Sequence, residues 1–515
     1  MEHFLKRHEG RINGIIAGFD RILELTQNSV LEIEMPVGCR VMFAAMLCVW
    51  FVAAAEVQAP KPTGAVPTKS QLEWQHCETN LFLHFGVNTF TDREWGTGQE
   101  DPRVFNPIRL DARQWARAAK AGGFKIVILT AKHHDGFCLW PSRYTEHSVR
   151  SSPWRDGKGD VVRELADACR EAGLRLGLYL SPWDRHERTY GDSPSYNEYY
   201  KAQMAELLTS YGPIAEVWFD GACGEGPNGK RQEYDWEGFR ALVRKLQPGA
   251  VMFSDAGPDV RWIGNERGTA GDPCWATIDP ARVPYPGAPG EDVIRALQHG
   301  DPDGSVWRPG ESDVSVRPGW FWHRKEDDKV RSIENLIDLY FKSVGRNSLM
   351  LLNVPPNDQG LLSDTDVRRL AEFRARLDVI FRTDLAQGAK ASAGSTRGSG
   401  AAFTPARALD GDGETYWATD DGVTSSWLEV DLGRSERINI SSIQEAIALG
   451  QRVEAYHLEY QDGESWKEFA RGTTIGHKRL DRFDVITARR IRLVIDRSRA
   501  CPTISSFSLY FAETP

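Results

Sequence analysis

Short apolar runs alternate with amphipathic segments over most of the chain, starting after a proline-rich spacer near residue 60. The apolar runs have the length of buried strands and occupy residues 81–87, 125–131, 174–180, 214–220, 250–254 and 348–354. Apolar positions three and four residues apart predict helices at residues 111–121, 160–171, 196–211, 235–246 and 331–344. This alternation predicts an α/β fold, a (β/α)8 TIM-like barrel over residues 68–383, whose sixth and seventh strands we expect between Cys274 and Trp322.

The pattern changes after residue 383. Residues 384–400 are rich in Gly, Ser and Ala and predict a linker. Beyond them the apolar positions alternate with a period of two, most clearly at residues 426–432, 452–460 and 490–495. We therefore expect an all-β sandwich over residues 401–515, which makes two domains.

The sequence pattern of residues 1–59 predicts an N-terminal extension with a signal peptide. Residues 41–55 are apolar and uncharged, and Ala53 and Ala55 fit a cleavage site. The polar segment at residues 1–34 is long for such a leader, so we expect translation to begin at Met35. An uncleaved anchor is the alternative, but the apolar run is short for a membrane span. We expect export to a periplasm, the extracellular space or an endomembrane compartment, with no stable membrane insertion after cleavage.

Charge and cysteine content narrow the function. The 515 residues carry a net charge of −9 without a basic stripe, which argues against a nucleic-acid partner. Six of the 8 cysteines lie outside the leader, with spacings that match neither a disulfide framework nor a metal motif, so most are expected to be buried thiols. The 17 tryptophans fill cores, but indole faces also stack on sugars.

Two acidic residues suggest glycoside hydrolysis. Asp220 ends the apolar run at residues 214–220, and Glu266 lies between glycines in the loop-like segment 261–268. Barrel enzymes carry their chemistry at the carboxyl ends of the strands, and glycosidases use two carboxyl groups. Asp220 suits the nucleophile, and the longer Glu266 suits the acid/base. Taken singly, Asp220 could instead be a helix N-cap and Glu266 a solvated loop acid.

Histidines and aromatic residues cluster at the same strand ends. His133 and His134 follow the second strand, and His84 ends the first. Neighbours on an extended backbone point to opposite sides, so we expect these histidines to donate hydrogen bonds to sugar hydroxyls and not to share a metal ion. The expected walls of the pocket are Trp95 beside Glu94, Tyr179, Trp218 and Trp320.

Together these motifs resemble the α-L-fucosidases of glycoside hydrolase family 29, over residues 71 to about 381. The matching pieces are His84-Phe-Gly, Glu94-Trp95-Gly, Lys132-His-His-Asp-Gly-Phe-Cys-Leu-Trp140, Tyr179, Trp218-Phe-Asp220-Gly and Asn353-Val-Pro-Pro-Asn357. The resemblance implies a retaining double displacement without a cofactor or an active-site metal, with Asp220 as nucleophile. It also implies a fucose pocket made by His84, Glu94, Trp95, His133, His134, Tyr179, Trp218 and Trp320.

The form of residues 261–268 is similar to a subgroup that removes α-1,3- or α-1,4-linked fucose from branched glycans, with Glu266 as acid/base. The implied partners are fucosylated glycans. Two other readings stay open: a non-catalytic glycan-binding protein, and a barrel glycosidase for another sugar.

The C-terminal part resembles discoidin-like F5/8 type C and carbohydrate-binding sandwiches, over residues 390–511. The matching pieces lie at residues 408–417 and 427–433. Related domains hold a structural Ca²⁺ near the first piece, where Asp412 could supply an oxygen, although Asp-Gly-Asp-Gly is also a simple tight turn. This domain either binds sugar or braces the barrel.

Overall fold

The computed structural model describes residues 57–513, and its first part is a barrel. The strands of this part are β1 Thr79–Leu83, β2 Ile126–Lys132, β3 Arg175–Leu180, β4 Ile214–Trp218, β5 Val251–Phe253, β6 Arg261–Trp262, β7 Thr277–Ile278, β8 Val306–Trp307, β9 Gly310–Ser315 and β10 Ser348–Asn353. All except β7 and β8 form one parallel sheet in the order β5-β4-β3-β2-β1-β10-β9-β6. A parallel bridge between Phe253 and Val260 joins its two edges. The predicted barrel is confirmed.

Helices surround the sheet. They are α1 Lys69–Gln75, α2 Val87–Thr91, α3 Ala112–Ala121, α4 Val161–Ala172, α5 Ser193–Ser210, α6 Trp236–Leu246, α7 Glu291–His299, α8 Ile333–Ser343 and α9 Asp364–Ile380. The five predicted helices correspond to α3, α4, α5, α6 and α8. Local chemistry sets their ends: the Asp160 side chain accepts from the backbone N–H of Arg163 at the start of α4, and Gly173 ends that helix with a φ of 71°.

Period-two alternation divides each barrel strand between the barrel interior and the helices. On β1, Phe82 belongs to the interior cluster, while Leu81 and Leu83 pack in the outer core with the helices. On β4, Trp218 belongs to the same interior cluster, while Val217 lies in the outer core. Asp220 lies two positions after the inward-facing Trp218, so alternation directs its side chain toward the mouth of the barrel.

The sixth strand was predicted in the wrong place. It is β6 at Arg261–Trp262, before the expected range of Cys274 to Trp322, whereas the seventh strand, β9, does lie within that range. A two-residue strand leaves no apolar run in the sequence. Its first residue is a fully buried arginine, whose guanidinium donates to the carbonyl oxygens of Leu297 and Trp275. The expected range instead holds the antiparallel ribbon β7–β8 and α7.

The C-terminal part is an antiparallel β-domain, and the predicted all-β fold is confirmed. Its strands are β11 Lys390–Ala393, β12 Trp417–Ala418, β13 Ser426–Glu445, β14 Val453–Asp462, β15 Ser465–Gly472, β16 Arg479–Ser498 and β17 Thr503–Tyr510. Their order is β12-β17-β13-β16-β14-β15, with β11 paired to β13. The register of β13 against β16 shifts between Asp431 and Glu436, where a bulge lets the long strands bend around one core.

Residues 390–393, inside the predicted linker, form β11 and pair with β13. The linker prediction is wrong for these residues because Lys-Ala-Ser-Ala has no β-branched or aromatic side chain to indicate a strand. The predicted signal peptide and the Met35 start lie outside the described residues. Within residues 57–513, no helix is both long enough and apolar enough to cross a membrane. The six cysteines of this range are free thiols, and all but the half-buried Cys223 are buried, as expected.

Candidate active site

All ten residues predicted for the site line one pocket of about 250 Å³. The pocket lies at the carboxyl ends of the barrel strands, where barrel enzymes carry their chemistry. Phe82, Ala222 and Asp313, which the sequence reasoning did not include, also line it. Phe82 could have been found from His84, because residues two apart on a strand face the same side.

Asp220 follows β4 and is held by two hydrogen-bond donors. The Tyr179 hydroxyl donates to Oδ2 over 3.0 Å, and the Ala222 N–H donates to Oδ1 over 2.7 Å. The side chain is 25% exposed, so part of it faces the pocket. Asp220 is not a helix N-cap, because the following helix α6 is capped by Asp235. Both donors fix the orientation of the Asp220 carboxyl group.

Glu266 lies four residues after β6 and is exposed at the pocket mouth. The Trp320 indole donates to its Oε2 over 3.2 Å. Partial desolvation raises the pKa of Glu266, and the negative charges of Asp220 and Glu94 raise it further, while the Trp320 hydrogen bond opposes the rise. Glu266 therefore keeps its proton to a higher pH than an ordinary glutamic acid.

His84 is a neutral ring with a defined tautomer. Its Nδ1 lies 2.8 Å from Oδ1 of Asn353, whose Nδ2 donates to Ser315 Oγ and to the Trp320 carbonyl oxygen. Because Asn353 Oδ1 can only accept, His84 must donate from Nδ1, which leaves Nε2 as an acceptor. Burial lowers the pKa of His84 to about 3.

His133 and His134 line the same pocket, and the expectation that they point to opposite sides is wrong. Their ring centroids are 4.1 Å apart. The chain has already left β2, which ends at Lys132, so strand alternation no longer applies. Burial lowers the pKa of both rings. Within residues 57–513, no group of three or more His, Cys, Asp or Glu side chains could hold a metal ion.

His134 also has a defined tautomer. Its Nδ1 lies 2.7 Å from Ser181 Oγ, and the Ser181 hydroxyl donates its one proton to the Trp183 carbonyl oxygen. Ser181 must therefore accept from Nδ1, and the neutral ring keeps Nε2 as an acceptor, 3.8 Å from Asp220 Oδ2. His84 and His134 can thus accept hydrogen bonds from a ligand, whereas we had expected them to donate.

Aromatic residues form one side of the pocket. Trp218 stacks on Phe253 with ring centroids 4.0 Å apart and is only 8% exposed. Trp95 is 58% exposed and meets Trp183 edge-on at 5.5 Å. The pocket lining therefore includes one enclosed indole, Trp218, and one solvent-exposed indole, Trp95.

Glu94 is held by a histidine that the sequence reasoning missed. His323 Nε2 lies 2.6 Å from Glu94 Oε1, and His323 Nδ1 lies 2.5 Å from Asp92 Oδ1. Burial opposes the charging of His323, but the hydrogen bonds to both carboxylates raise its pKa. Glu94 also accepts from the N–H of Trp320 over 2.8 Å. The only sequence signal for His323 was its position three residues after Trp320.

Asp313 is a fourth carboxyl group of the pocket, beside Asp220, Glu266 and Glu94. It lies on β9, is 3% exposed, and accepts at Oδ1 from the Trp262 indole over 2.8 Å. Burial, and next the charge of Glu266, raise the pKa of Asp313 well above its ordinary value. Sequence reasoning missed it because β9 was not located.

The segment around Asp412 forms a turn. Asp410 accepts from the N–H of Asp412 over 2.9 Å, and Asp412 accepts from the N–H of Glu414 over 3.0 Å. These bonds are typical of Asx turns, which accounts for the Asp-Gly-Asp-Gly string. Calcium binding near Asp412 stays a prediction.

Comparison with known families and proteins agrees with this geometry. The family model described as Alpha-L-fucosidase matches residues 64–379, and the model described as F5/8 type C domain matches residues 390–507. A putative alpha-L-fucosidase 1 of Oryza sativa subsp. japonica is 50% identical over 459 residues, which cover 89% of this chain and 87% of that protein. The alpha-L-fucosidase 1 of Arabidopsis thaliana is 49% identical over 455 residues, with 88% of each protein covered.

A solved structure has the same architecture. The Ruminococcus gnavus GH29 fucosidase in complex with fucose superposes with a TM-score of 0.82 at 36% identity, covering 89% of this chain and 97% of that one. The family matches span both parts of the described chain, and the pocket contains Asp220 and Glu266, the two carboxyl groups that the sequence suggested for glycoside hydrolysis. The chain belongs to the α-L-fucosidase family of glycoside hydrolases and carries an F5/8 type C domain after its barrel.

Proposed function

We propose that this α-L-fucosidase is a retaining exo-enzyme that removes terminal α-1,3- or α-1,4-linked fucose from oligosaccharides or glycoproteins. The observation that carries the proposal is that Asp220 and Glu266 line one small pocket. Its volume of about 250 Å³ is below the roughly 300–1,000 Å³ of sites for drug-sized ligands. A pocket of this size suits one terminal sugar ring, whereas an endo-acting enzyme needs an open groove.

In the first step Asp220 is the nucleophile. One of its carboxylate oxygens attacks C1 of fucose while Glu266 donates its proton to the glycosidic oxygen. The C1–oxygen bond to the leaving sugar breaks, and a fucosyl ester of inverted anomeric configuration forms on Asp220. The Tyr179 and Ala222 donors hold the attacking group, and the raised pKa of Glu266 keeps the proton available.

In the second step Glu266 acts as base. It takes a proton from water, whose oxygen attacks C1 and breaks the ester to Asp220. Fucose leaves with its original α configuration, the Asp220 carboxylate is restored, and Glu266 is protonated again. No cofactor enters this scheme.

The remaining pocket residues are proposed to bind the fucose ring. Nε2 of His84 and of His134 can each accept from a sugar hydroxyl, since both rings are neutral. The Trp218 wall offers an apolar surface to the C6 methyl group, whose burial is worth about 0.8 kcal/mol. Glu94, Trp95, His133, Tyr179 and Trp320 complete the set.

The linkage proposal depends on residues 261–268, which resemble the subgroup acting on α-1,3- and α-1,4-linked fucose. It is tested by comparing kcat/KM on Lewis-type trisaccharides with kcat/KM on an α-1,2-fucosylated and an α-1,6-fucosylated oligosaccharide. Faster turnover of the Lewis-type sugars supports the proposal. Equal or faster turnover of the other two contradicts it.

The nucleophile is tested with Asp220→Gly. We expect kcat to fall by several orders of magnitude, because the mutant cannot form the ester. Added sodium azide should restore turnover and yield β-L-fucosyl azide, since the small anion attacks C1 from the vacated side. Unchanged hydrolysis by Asp220→Gly would contradict the proposal.

Two alternatives are separated by the native enzyme. Release of nitrophenol from p-nitrophenyl α-L-fucoside excludes a non-catalytic glycan-binding protein, and preferential release from another nitrophenyl sugar would indicate a different glycosidase. We also propose export, supported by the pattern at residues 41–55. Cell fractionation of the full-length protein, with N-terminal sequencing of the mature form, tests it.

A further inference from the structure

Two glutamates lie inside the barrel, one layer below the pocket. Glu216 precedes Trp218 by two positions on β4, and Glu311 precedes Asp313 by two positions on β9. Strand alternation therefore sends both glutamates into the barrel interior, under the residues that line the pocket. Both are fully buried.

Each glutamate is bonded to one tryptophan. The Trp218 indole donates to Oε1 of Glu311 over 3.0 Å, and the Trp74 indole donates to Oε2 of Glu216 over 2.9 Å. Trp218 forms part of the pocket wall, while Trp74 comes from α1. The two carboxyl groups thus connect α1 with the pocket wall.

The remaining oxygens of the pair have no donor. Glu216 Oε1 and Glu311 Oε2 are buried without a hydrogen-bond partner, although the two carboxyl groups are within hydrogen-bonding contact of each other. Two carboxylates in this arrangement would repel, and two buried acceptors would stay unsatisfied. One proton between them removes both problems, because a carboxylic acid donates to a carboxylate.

We propose that Glu216 and Glu311 share one proton and act as positioning residues that fix the Trp218 indole in the wall of the fucose pocket. The inference rests on the proposed role of that pocket. Because the Trp218 N–H can only donate, it needs the Glu311 oxygen as an acceptor, and the shared proton keeps that carboxyl group in place. Neither glutamate touches the sugar, so neither is a catalytic residue.

The charged groups around the pair agree with one shared proton. Burial raises the pKa of Glu216 to about 7, and burial, followed by the charge of Glu216, raises the pKa of Glu311 well above its ordinary value. Arg175 and Cys77 face the Glu216 end, and Asp313 faces the Glu311 end. Arg175 is the cation acting on Glu216, which makes Glu311 the better holder of the proton.

The test compares Glu311→Met with Glu311→Gln. A glutamine reproduces the protonated acid, because its amide oxygen accepts from Trp218 while its NH₂ donates to Glu216. We expect Glu311→Gln to keep KM for p-nitrophenyl α-L-fucoside within about twofold, and Glu311→Met to raise KM about tenfold or more, which is about 1.4 kcal/mol in binding. Trp115→Phe is the matched control, because Trp115 donates a buried indole bond to the Gly360 carbonyl oxygen outside the barrel interior. It should lower Tm and leave KM unchanged.

A KM for Glu311→Met within twofold of the native value, in a folded protein of lowered Tm, would overturn the inference and leave Glu311 with a merely structural role.

If Glu311→Met does not fold, the pH dependence of the stability of Glu311→Gln provides the test. Because the carboxyl pKa values of the pair are raised, the pair binds more protons in the folded state than in the unfolded state. The contribution of the pair to the free energy of unfolding therefore falls as pH rises from about 4.5 through 7. In Glu311→Gln the free energy of unfolding should fall less over this pH range than in the native protein. An unchanged slope of the free energy of unfolding against pH would contradict the shared proton. Trp218→Ala separates the two proposals: an unchanged KM there would remove Trp218 from the fucose-binding wall and so contradict the proposed pocket, while the pH test of Glu311→Gln would still decide the shared proton.

Discussion

The segments that carry Asp220 and Glu266 are built in different ways. Asp220 follows β4, which is paired on both sides, with β3 and with β5, and its donors come from Tyr179 on β3 and from Ala222. Glu266 follows the two-residue strand β6, which pairs with β9 on one side and reaches β5 only through the bridge at Val260. The barrel sheet therefore holds the strand before the proposed nucleophile on both sides, whereas it pairs the strand before the proposed acid/base along one side only.

The C-terminal domain contacts the chain that follows Glu266. Beyond Glu266, the chain at residues 270–276 is tied to the C-terminal domain: Asp272 accepts from Arg479 over 2.9 Å, and the Cys274 N–H donates to Thr474 Oγ1 over 3.0 Å. Both partners are sandwich residues. The F5/8 type C domain therefore contacts the segment that follows the proposed acid/base, whereas the segment of the proposed nucleophile is held within the barrel.

Removing the Glu266 carboxyl group should have the largest effect and should depend on the leaving group. For Glu266→Ala we expect kcat/KM on a Lewis-type trisaccharide to fall by about 10²–10⁴, since a sugar leaving group needs protonation. With 2,4-dinitrophenyl α-L-fucoside the first step should be much less affected, because this leaving group departs as an anion. Steady-state and pre-steady-state kinetics on both substrates check this. Equal losses of the first step on both substrates would remove Glu266 from the acid role.

Cutting the tie to the sandwich should have an intermediate effect on the same step. Arg479→Leu removes one of the partners of Asp272, and we expect kcat/KM on the trisaccharide to fall about tenfold, because a small displacement of an acid from its proton acceptor is costly. The dinitrophenyl substrate should be cleaved at nearly the native rate.

Arg482→Leu is the matched control for this variant. Arg482 also lies on β16 and bridges to the barrel, but it pairs with Asp338 on α8, over 2.6 Å. It should leave both substrates unaffected. An equal loss of activity in Arg482→Leu and Arg479→Leu would mean that the domain contact acts through global stability and not through the Glu266 segment.

The smallest effect should be a shift of the pH profile in Trp320→Phe. The Trp320 hydrogen bond favours ionised Glu266, so its loss should raise the pKa of Glu266 further. Activity is lost as pH rises through the pKa of the acid, so the basic limb of kcat/KM should move to higher pH by less than about one unit. The acidic limb should stay in place. A basic limb that moves to lower pH would contradict this account of Glu266.

The barrel strands also differ in how well the sequence predicts them. The strands β1 to β5 and β10 are long enough to leave apolar runs, so their ends, and with them His84 and Asp220, could be located. The short strand β6 begins with a buried arginine, and β9 reads Gly-Glu-Ser-Asp-Val-Ser, whose inward positions are acids. Burial of such residues depends on partners distant in sequence, such as Trp218 for Glu311.

The orientation of the side chains in the pocket could not be predicted from the sequence either. The tautomers of His84 and His134 follow from Asn353 and Ser181, which the sequence reasoning did not connect with them. Glu266 was found as an acid between glycines, but Thr474 and Arg479, which contact the segment that follows it, lie in another domain. Sequence patterns therefore located the two proposed reacting groups, while the groups that hold them could be found only in the folded chain.

In the proposed mechanism the sugar becomes bonded to Asp220 while Glu266 donates a proton to the leaving group. It is tested most directly by trapping the enzyme with 2-deoxy-2-fluoro-α-L-fucosyl fluoride and mapping the label by peptide mass spectrometry. The account predicts one fluorofucosyl group per chain, on the peptide that contains Asp220, and none in Asp220→Asn. A label on Glu266, or on Asp313 or any other residue of the native enzyme, would contradict it.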